Sequence, residues 1–231
     1  MRDWFKINGV KCTAFGIRMN EAPPTTLPNE RITFQTVPGR SGSLTKKEGE
    51  DVYDDLVLTA VCSMESEERL NEAARFLKWS GEIEFCTREG GVYHGRVINQ
   101  IPLEKIVRGK PNRRFAVNFR VNPFWYKKNE EPTEMTAEGV IINDGNVSSQ
   151  PVITVYGTGD CMLYINEQLV TLTGLGGHVV IDSSIEETYS GTANMNPHMT
   201  GDYPRLKSGE NEIRWMGEIT KIVIDKRTRY L

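Results

Sequence analysis

The sequence has no apolar run approaching the ~18 residues that a membrane-spanning helix needs, so a helical membrane protein is excluded. Its first residues, MRDWFKINGV, lack the apolar stretch of a secretory leader, and synthesis in a cytoplasm is the expectation. The four cysteines, Cys12, Cys62, Cys86 and Cys161, never stand at zinc-knuckle spacing, so no metal is expected. In a reducing compartment they read as small core residues or unpaired thiols. No phosphate-cradling glycine fingerprint opens a helix; GLGG ahead of His178 lies among strands and reads as a turn.

Catalytic side chains are scarce in the same way. Only three histidines are present, His94, His178 and His198, and none stands in a recognisable frame with a nucleophile. Ser41 in GRSGS does not fit the G-x-S-x-G elbow, and a turn explains the stretch more simply. Cys86 and His94 could face each other across a hairpin, although a core cysteine beside an exposed histidine is the commoner outcome. The carboxylate pairs Asp54-Asp55, Glu67-Glu68 and Glu186-Glu187 are adjacent, so on a strand their members point to opposite faces. The reading is of a protein that is not an enzyme and needs no cofactor.

What the chain does have is β texture and an uneven charge. Residues 1–128 hold 21 Lys+Arg against 16 Asp+Glu, and residues 129–231 hold 7 against 15, which together make the net charge of -3. Eight basic residues and no acid lie from Lys105 to Lys128, a run expected to be a solvated or subunit-facing surface and not a specific nucleic-acid site. In the first part, Asn8-Gly9 between β-prone runs predicts a tight hairpin, and the proline-rich stretch from Asn20 to Glu30 predicts an exposed connection. RITFQTVPGRSGSL reads as a strand running into a turn, and Tyr53–Val61 as a further strand. One helix is expected, capped by Ser63, with Glu65, Glu67 and Glu68 in its first turns, Leu70, Ala73, Ala74 and Leu77 on its apolar face, and Gly81 as its stop. EIEFCT and VYHGRVINQI predict a hairpin, and RRFAVNFRV alternates as a strand.

The stretch FRVNPFWYKKNEEP closes that part and marks a seam, giving domains at 1–128 and 129–231. Its aromatic knot, Phe124, Trp125 and Tyr126, is expected to anchor the last strand of the first domain against the interdomain surface. Beyond it, GVIIN, QPVITVYG, CMLYIN, QLVTL, HVVID, NEIRWMG and TKIVID read as separate short strands of a β-sandwich, divided by turn clusters such as GTGD and GLGG. Trp215, with His198, Asn196 and Arg205 upstream, is a candidate saccharide-binding set. Burial of Trp215 on the face it shares with Ile213 is the simpler account.

In this order, the ING hairpin, the proline-rich connection, VPGRSGSL, EDVYDD, the single helix, FRVNPFWY, NDGNVSSQPVITVYGTGD, CMLYIN, HVVID and YPRLKSGENEIRW resemble the distal tail proteins of long, non-contractile-tailed bacteriophages of Gram-positive bacteria. The resemblance spans essentially the whole chain. It implies a mainly β protein with an N-terminal α+β, tail-tube-like belt domain and a C-terminal galectin-like β-sandwich. It also implies a structural virion component encoded by a phage or prophage. Six copies would form a ring, the baseplate hub, joining the tail tube protein to the tail-tip or tail-associated lysin protein, with receptor-binding proteins at its periphery and a channel through which DNA can pass. The alternative keeps the fold and makes the sandwich a cell-wall carbohydrate-binding module.

Overall fold

The computed structural model describes residues 3–64, 68–101, 104–107 and 110–231. The chain is mainly β and divides into two compact units, Met1–Lys128 with the terminal Leu231, and Asn129–Tyr230.

The first unit contains strands β1 (Phe5–Ile7), β2 (Val10–Lys11), β3 (Ile17–Glu21), β4 (Ile32–Thr36), β5 (Ser43–Lys47) and β6 (Leu56–Met64), helix α1 (Leu70–Phe76), and strands β7 (Ser80–Phe85), β8 (Gly91–Val97), β9 (Glu104–Val107), β10 (Lys110–Val121) and β11 (Trp125–Lys127). Its main sheet runs β2-β1-β7-β8-β10-β6-β3, while among the described residues β4 and β5 pair only with each other. Asn8 and Gly9 both take positive φ, as a primed hairpin turn requires. The Asn8 side chain then crosses to β7, donating to the Ser80 carbonyl at 3.0 Å and accepting from the Glu82 N–H at 2.9 Å. Any Cβ on Gly81 would lie 2.2 Å from the Asn8 Oδ1, so Gly81 serves this crossing from inside a strand and does not stop the helix.

The helix is shorter than expected and begins later. Ser63 lies in β6, where Leu56, Leu58, Ala60, Cys62 and Met64 keep a period of two and point into the core. The residue that precedes α1 is Arg69, and Glu65 and Glu67 fall outside the described residues. The buried face consists of Ala73, Phe76 and Leu77, with Ala74 turned outward. Phe76 stacks on Phe5 at 5.9 Å and Phe15 at 4.6 Å, and Phe5 meets Phe119 edge-on at 5.1 Å, which fixes the helix on the sheet.

The second unit contains β12 (Thr133–Met135), β13 (Gly139–Asn143), β14 (Val152–Ile165), β15 (Gln168–Asp182), β16 (Glu187–Ser190), β17 (Ala193–Asn194), β18 (Met199–Thr200), β19 (Gly209–Asp225) and β20 (Arg229–Tyr230). Six segments read as separate strands are three long ones: β14, β15 and β19 each run through the glycine clusters taken for turns. The ladders continue across Gly157↔Gly177 and Gly157↔Ile219, with register shifts between Gly159 and Cys161 and between Thr158 and Met162. The glycines bend strands without ending them. Gly157 permits close approach, since a Cβ there would stand 2.3 Å from the Glu218 carbonyl oxygen. Ile153 and Val155 before the bend and Leu163 and Ile165 after it join one buried cluster, so the bent sheet closes over a single core.

The chain ends of this unit are held by buried charge. Glu130 accepts from the Thr228 N–H at 3.0 Å and hydroxyl at 2.8 Å and pairs with Lys226 at 3.2 Å. Arg227 forks onto Asp182 at 2.9 and 3.1 Å. Burial alone would raise both carboxyl pKa values. The hydrogen bonds from Thr228 and Lys226 to Glu130, and from Ser184 and Arg227 to Asp182, outweigh it and hold both below the usual range.

Candidate functional site

The residues read as reactive are kept apart or kept inert. In the β7–β8 hairpin His94 lies opposite Glu82, and Ile83 opposite Tyr93. Cys86 is therefore about 13 Å along the ladder from the imidazole, and no thiol-imidazole pair forms. Burial pushes the thiols of Cys12 and Cys62 up to about 11 and about 12, and all four cysteines are buried and unbridged. His178 stacks on Tyr156 across β14 and β15 at 5.7 Å. Ser41 sits in an exposed turn between Gly39 and Gly42, both at positive φ. Among the described residues no group of three or more His, Cys, Asp or Glu side chains could hold a metal ion.

The saccharide set read from sequence is divided by the sheet. Trp215 on β19 faces Leu163 on β14, which in turn faces Val170 on β15. His198 lies beyond β15, its Nδ1 3.1 Å from the Thr173 carbonyl, and β18 pairs there at Thr171 and Leu172. Two strands therefore stand between Trp215 and His198, about 14 Å across the sheet. Arg205 lies on the same far side but at the start of β15, where Gln168 holds its backbone. The Trp215 side chain is half-buried against the second core, and the residue's backbone N–H donates to the Glu138 carboxylate at 3.0 Å. Asn196 is occupied as an acceptor for the Thr188 N–H and the Tyr203 hydroxyl.

Each ring of the aromatic knot has a partner in the first unit. Phe124 meets Tyr53 edge-on at 5.9 Å, the Arg88 guanidinium lies 4.7 Å from the Trp125 ring, and Tyr126 meets His94 at 4.8 Å. The cause is local: β11 adds to β8 with Tyr126 opposite Val92 and Lys127 opposite Gly91. A Cβ on Gly91 would stand 2.3 Å from the Trp125 ring, so that glycine makes room for the indole.

Tyr53 in turn marks the base of an arm. It bridges Glu30, and the Arg31 N–H bonds the Val52 carbonyl just before β4 begins. Ion pairs from Arg31 to Asp54 at 2.9 Å and Lys47 to Glu30 at 2.6 Å reinforce the base. Beyond it the β4–β5 hairpin is almost wholly exposed, with Phe34 at 68% and Leu44 at 42% on opposite faces. A two-stranded ribbon is marginal alone in water, and this one displays apolar side chains on both faces. The basic run is partly neutralised: Arg114 pairs with Glu21, Arg120 with Asp55, and Lys128 with Glu82 and Glu84, while the other basic residues from Lys105 to Arg113 have no described side chains.

No family model matches the chain, and no curated protein sequence does. Among solved structures it is similar to the Dit (gp 19.1) protein of phage SPP1, described as a paradigm of the hub adsorption apparatus in phages infecting Gram-positive bacteria. The TM-score is 0.78 with 14% identity, and 99% of each chain is covered. A chain of the phage p2 baseplate in its activated conformation with Sr is similar at a TM-score of 0.49 and 8% identity, over 96% of this chain and 98% of that one. The resemblance to distal tail proteins read from the sequence is thus shown in the fold, from one end of the chain to the other.

Proposed function

We propose that this chain is a structural, non-enzymatic component of a phage tail, a hub at the distal end of the tail tube. Six copies close into a ring through the first unit, and the second unit forms a galectin-like sandwich. The ring joins the tube to the tail-tip or tail-associated lysin protein and carries receptor-binding proteins. The observation that supports the reading is end-to-end likeness in fold to the SPP1 hub protein, over 99% of both chains. Local chemistry supports it: buried thiols, dispersed histidines, and an exposed hairpin with Phe34 and Leu44 uncovered. Subunits that assemble head to tail need such unmatched surfaces, one for each neighbour.

The placement is tested on particles. Antibody raised against the chain and applied to phage particles produced by cells that encode it is expected to decorate the distal end of the tail. Label confined to the capsid, or particles that form fully without the chain, would refute the assignment.

A further inference from the structure

A further feature lies in the Asn129–Tyr230 unit, outside the unit assigned above to the ring. Next to the entry of β15 lies an open cavity of about 550 Å³, within the size range of small-molecule pockets. Its polar walls come from stretches distant in sequence: Gln168, Ser183 and Glu186, and the segment carrying Asp202, Tyr203 and Arg205.

These walls are held in place by the protein. Gln168 accepts from the Arg205 N–H at 2.8 Å and donates to its carbonyl at 3.2 Å, so the guanidinium stands on a clamped backbone. Tyr203 donates to Asn196 at 3.2 Å. Gly201 packs so closely on β15 that a Cβ would lie 2.3 Å from the Leu169 carbonyl oxygen. On the other wall, the Asp182–Arg227 fork and the Ser184 bonds to Asp182 fix the loop that follows β15, and Glu186 in that loop takes φ +54°, unusual for a side-chain-bearing residue.

The groups so positioned are unspent. Among the described residues Glu186, Asp202 and Arg205 form no ion pair or side-chain hydrogen bond. Ser183 is 2% exposed, and its hydroxyl makes no hydrogen bond. That oxygen has no open surface toward the cavity, so the groups a ligand can reach are the exposed Glu186, Asp202 and Arg205.

We infer that this cavity is a binding site for a neutral polyhydroxylated ligand, a saccharide unit, with Arg205 donating to its oxygens, Glu186 and Asp202 accepting from its hydroxyls, and Tyr203 walling one side. The mixture of charges decides the class. An anion entering beside Arg205 would face two carboxylates, and a cation would face the guanidinium. Vicinal hydroxyls satisfy both, because each can donate to a carboxylate while its oxygen accepts from the guanidinium. The inference stands independently of the hub reading, and of the four residues read from sequence it retains only Arg205 in the cavity wall.

The test is a titration of the isotopically labelled full chain, followed by amide chemical shifts, with a panel of neutral mono- and trisaccharides built from hexose and N-acetylhexosamine units. Inorganic phosphate and calcium chloride serve as separate probes. At least one saccharide is expected to shift the amides of Ser183 to Glu186 and Gly201 to Arg205. Arg205→Ala and Glu186→Gln, both exposed and with spectra that report folding directly, should each weaken that response by about tenfold or more. Trp215→Ala should change it less than about twofold, since Trp215 lies across the sheet. Silence from every saccharide, a response to phosphate or calcium alone, or a saccharide response undiminished in both variants overturns the site.

Discussion

Replacing Asp182 by asparagine removes one charge from the fork that ties the chain after β19 to the end of β15. The change keeps shape and leaves the Ser184 N–H and hydroxyl with an acceptor, so what is lost is the ion pair to Arg227. Breaking a buried pair costs about 3–5 kcal/mol when the remaining charge has no access to water. Here the Asp182 side chain is 9% exposed but Arg227 is 34% exposed and can rehydrate, which lowers the expectation to about 2 kcal/mol. Hydrogen–deuterium exchange on the full chain is the suitable assay, because peptides from β14, β15 and β19 report the second unit while peptides from β6 and β10 report the first. Exchange through cooperative opening should quicken about thirtyfold in the former and stay unchanged in the latter. An effect below about threefold, or one spread evenly over both units, would refute the assignment of the fork as a local latch.

Four further outcomes are expected. Asp182 and Glu130 both have lowered folded-state pKa values, so their stabilisation is present above the ordinary carboxylate range and is lost as pH falls from that range through the lowered folded-state values; acid titration followed by exchange should loosen the second unit, and a second unit that tightens on acidification would contradict the sign. Gly157→Ala should destabilise the second unit by about 1–3 kcal/mol in denaturant unfolding, because the Glu218 carbonyl cannot rotate away as a side chain could; an unchanged midpoint would mean the strands do not approach as described. Phe119→Ala should cost the first unit about 3–5 kcal/mol by opening a void between Phe5 and Phe85, read by the same unfolding. Native protein at neutral pH should resist thiol reagents at Cys12 and Cys62 until denatured, and rapid labelling of either would show that its burial is wrong.

Much of the fold was legible because it rests on local chemistry. Asn8-Gly9 can adopt the positive φ of a primed turn, and Phe115 to Val121 alternate with the period of a half-buried strand, so both elements stand where the sequence puts them. The errors occur where two periods or two uses of glycine compete. Ser63 has the chemistry of a cap, yet the alternation from Leu56 carries through Met64 and the strand wins. The glycines at Gly157, Gly174 and Gly217 punctuate the sequence as turns do, but only the neighbouring strands reveal that the ladder runs through Gly157 and resumes beyond the register shifts that hold Gly174 and Gly217.

The candidate sites were less legible, and for a related reason. Trp215, His198 and Arg205 are close in sequence, but β14 and β15 come between them, and cross-strand register is not written in any local pattern. Ser183, Glu186 and Asp202 all lie in the irregular stretch SSIEETYSGTANMNPHMTGDYPRLKSG, which reads as binding-type surface loop but has no residue pattern that picks out these three. The exposed arm was visible only as a strand and a turn. That it pairs with nothing but itself, with Phe34 in water, is a property of the tertiary fold.

The central claim is that identical copies close around an axis. Negative-stain class averages of the purified chain, alone and after mixing with the tail-tube and tail-tip proteins of the proposed phage tail, test this most directly. The account predicts sixfold rings with an open centre and a mass six times the 26.1 kDa of one chain. Separate single copies in both samples at high concentration would contradict it.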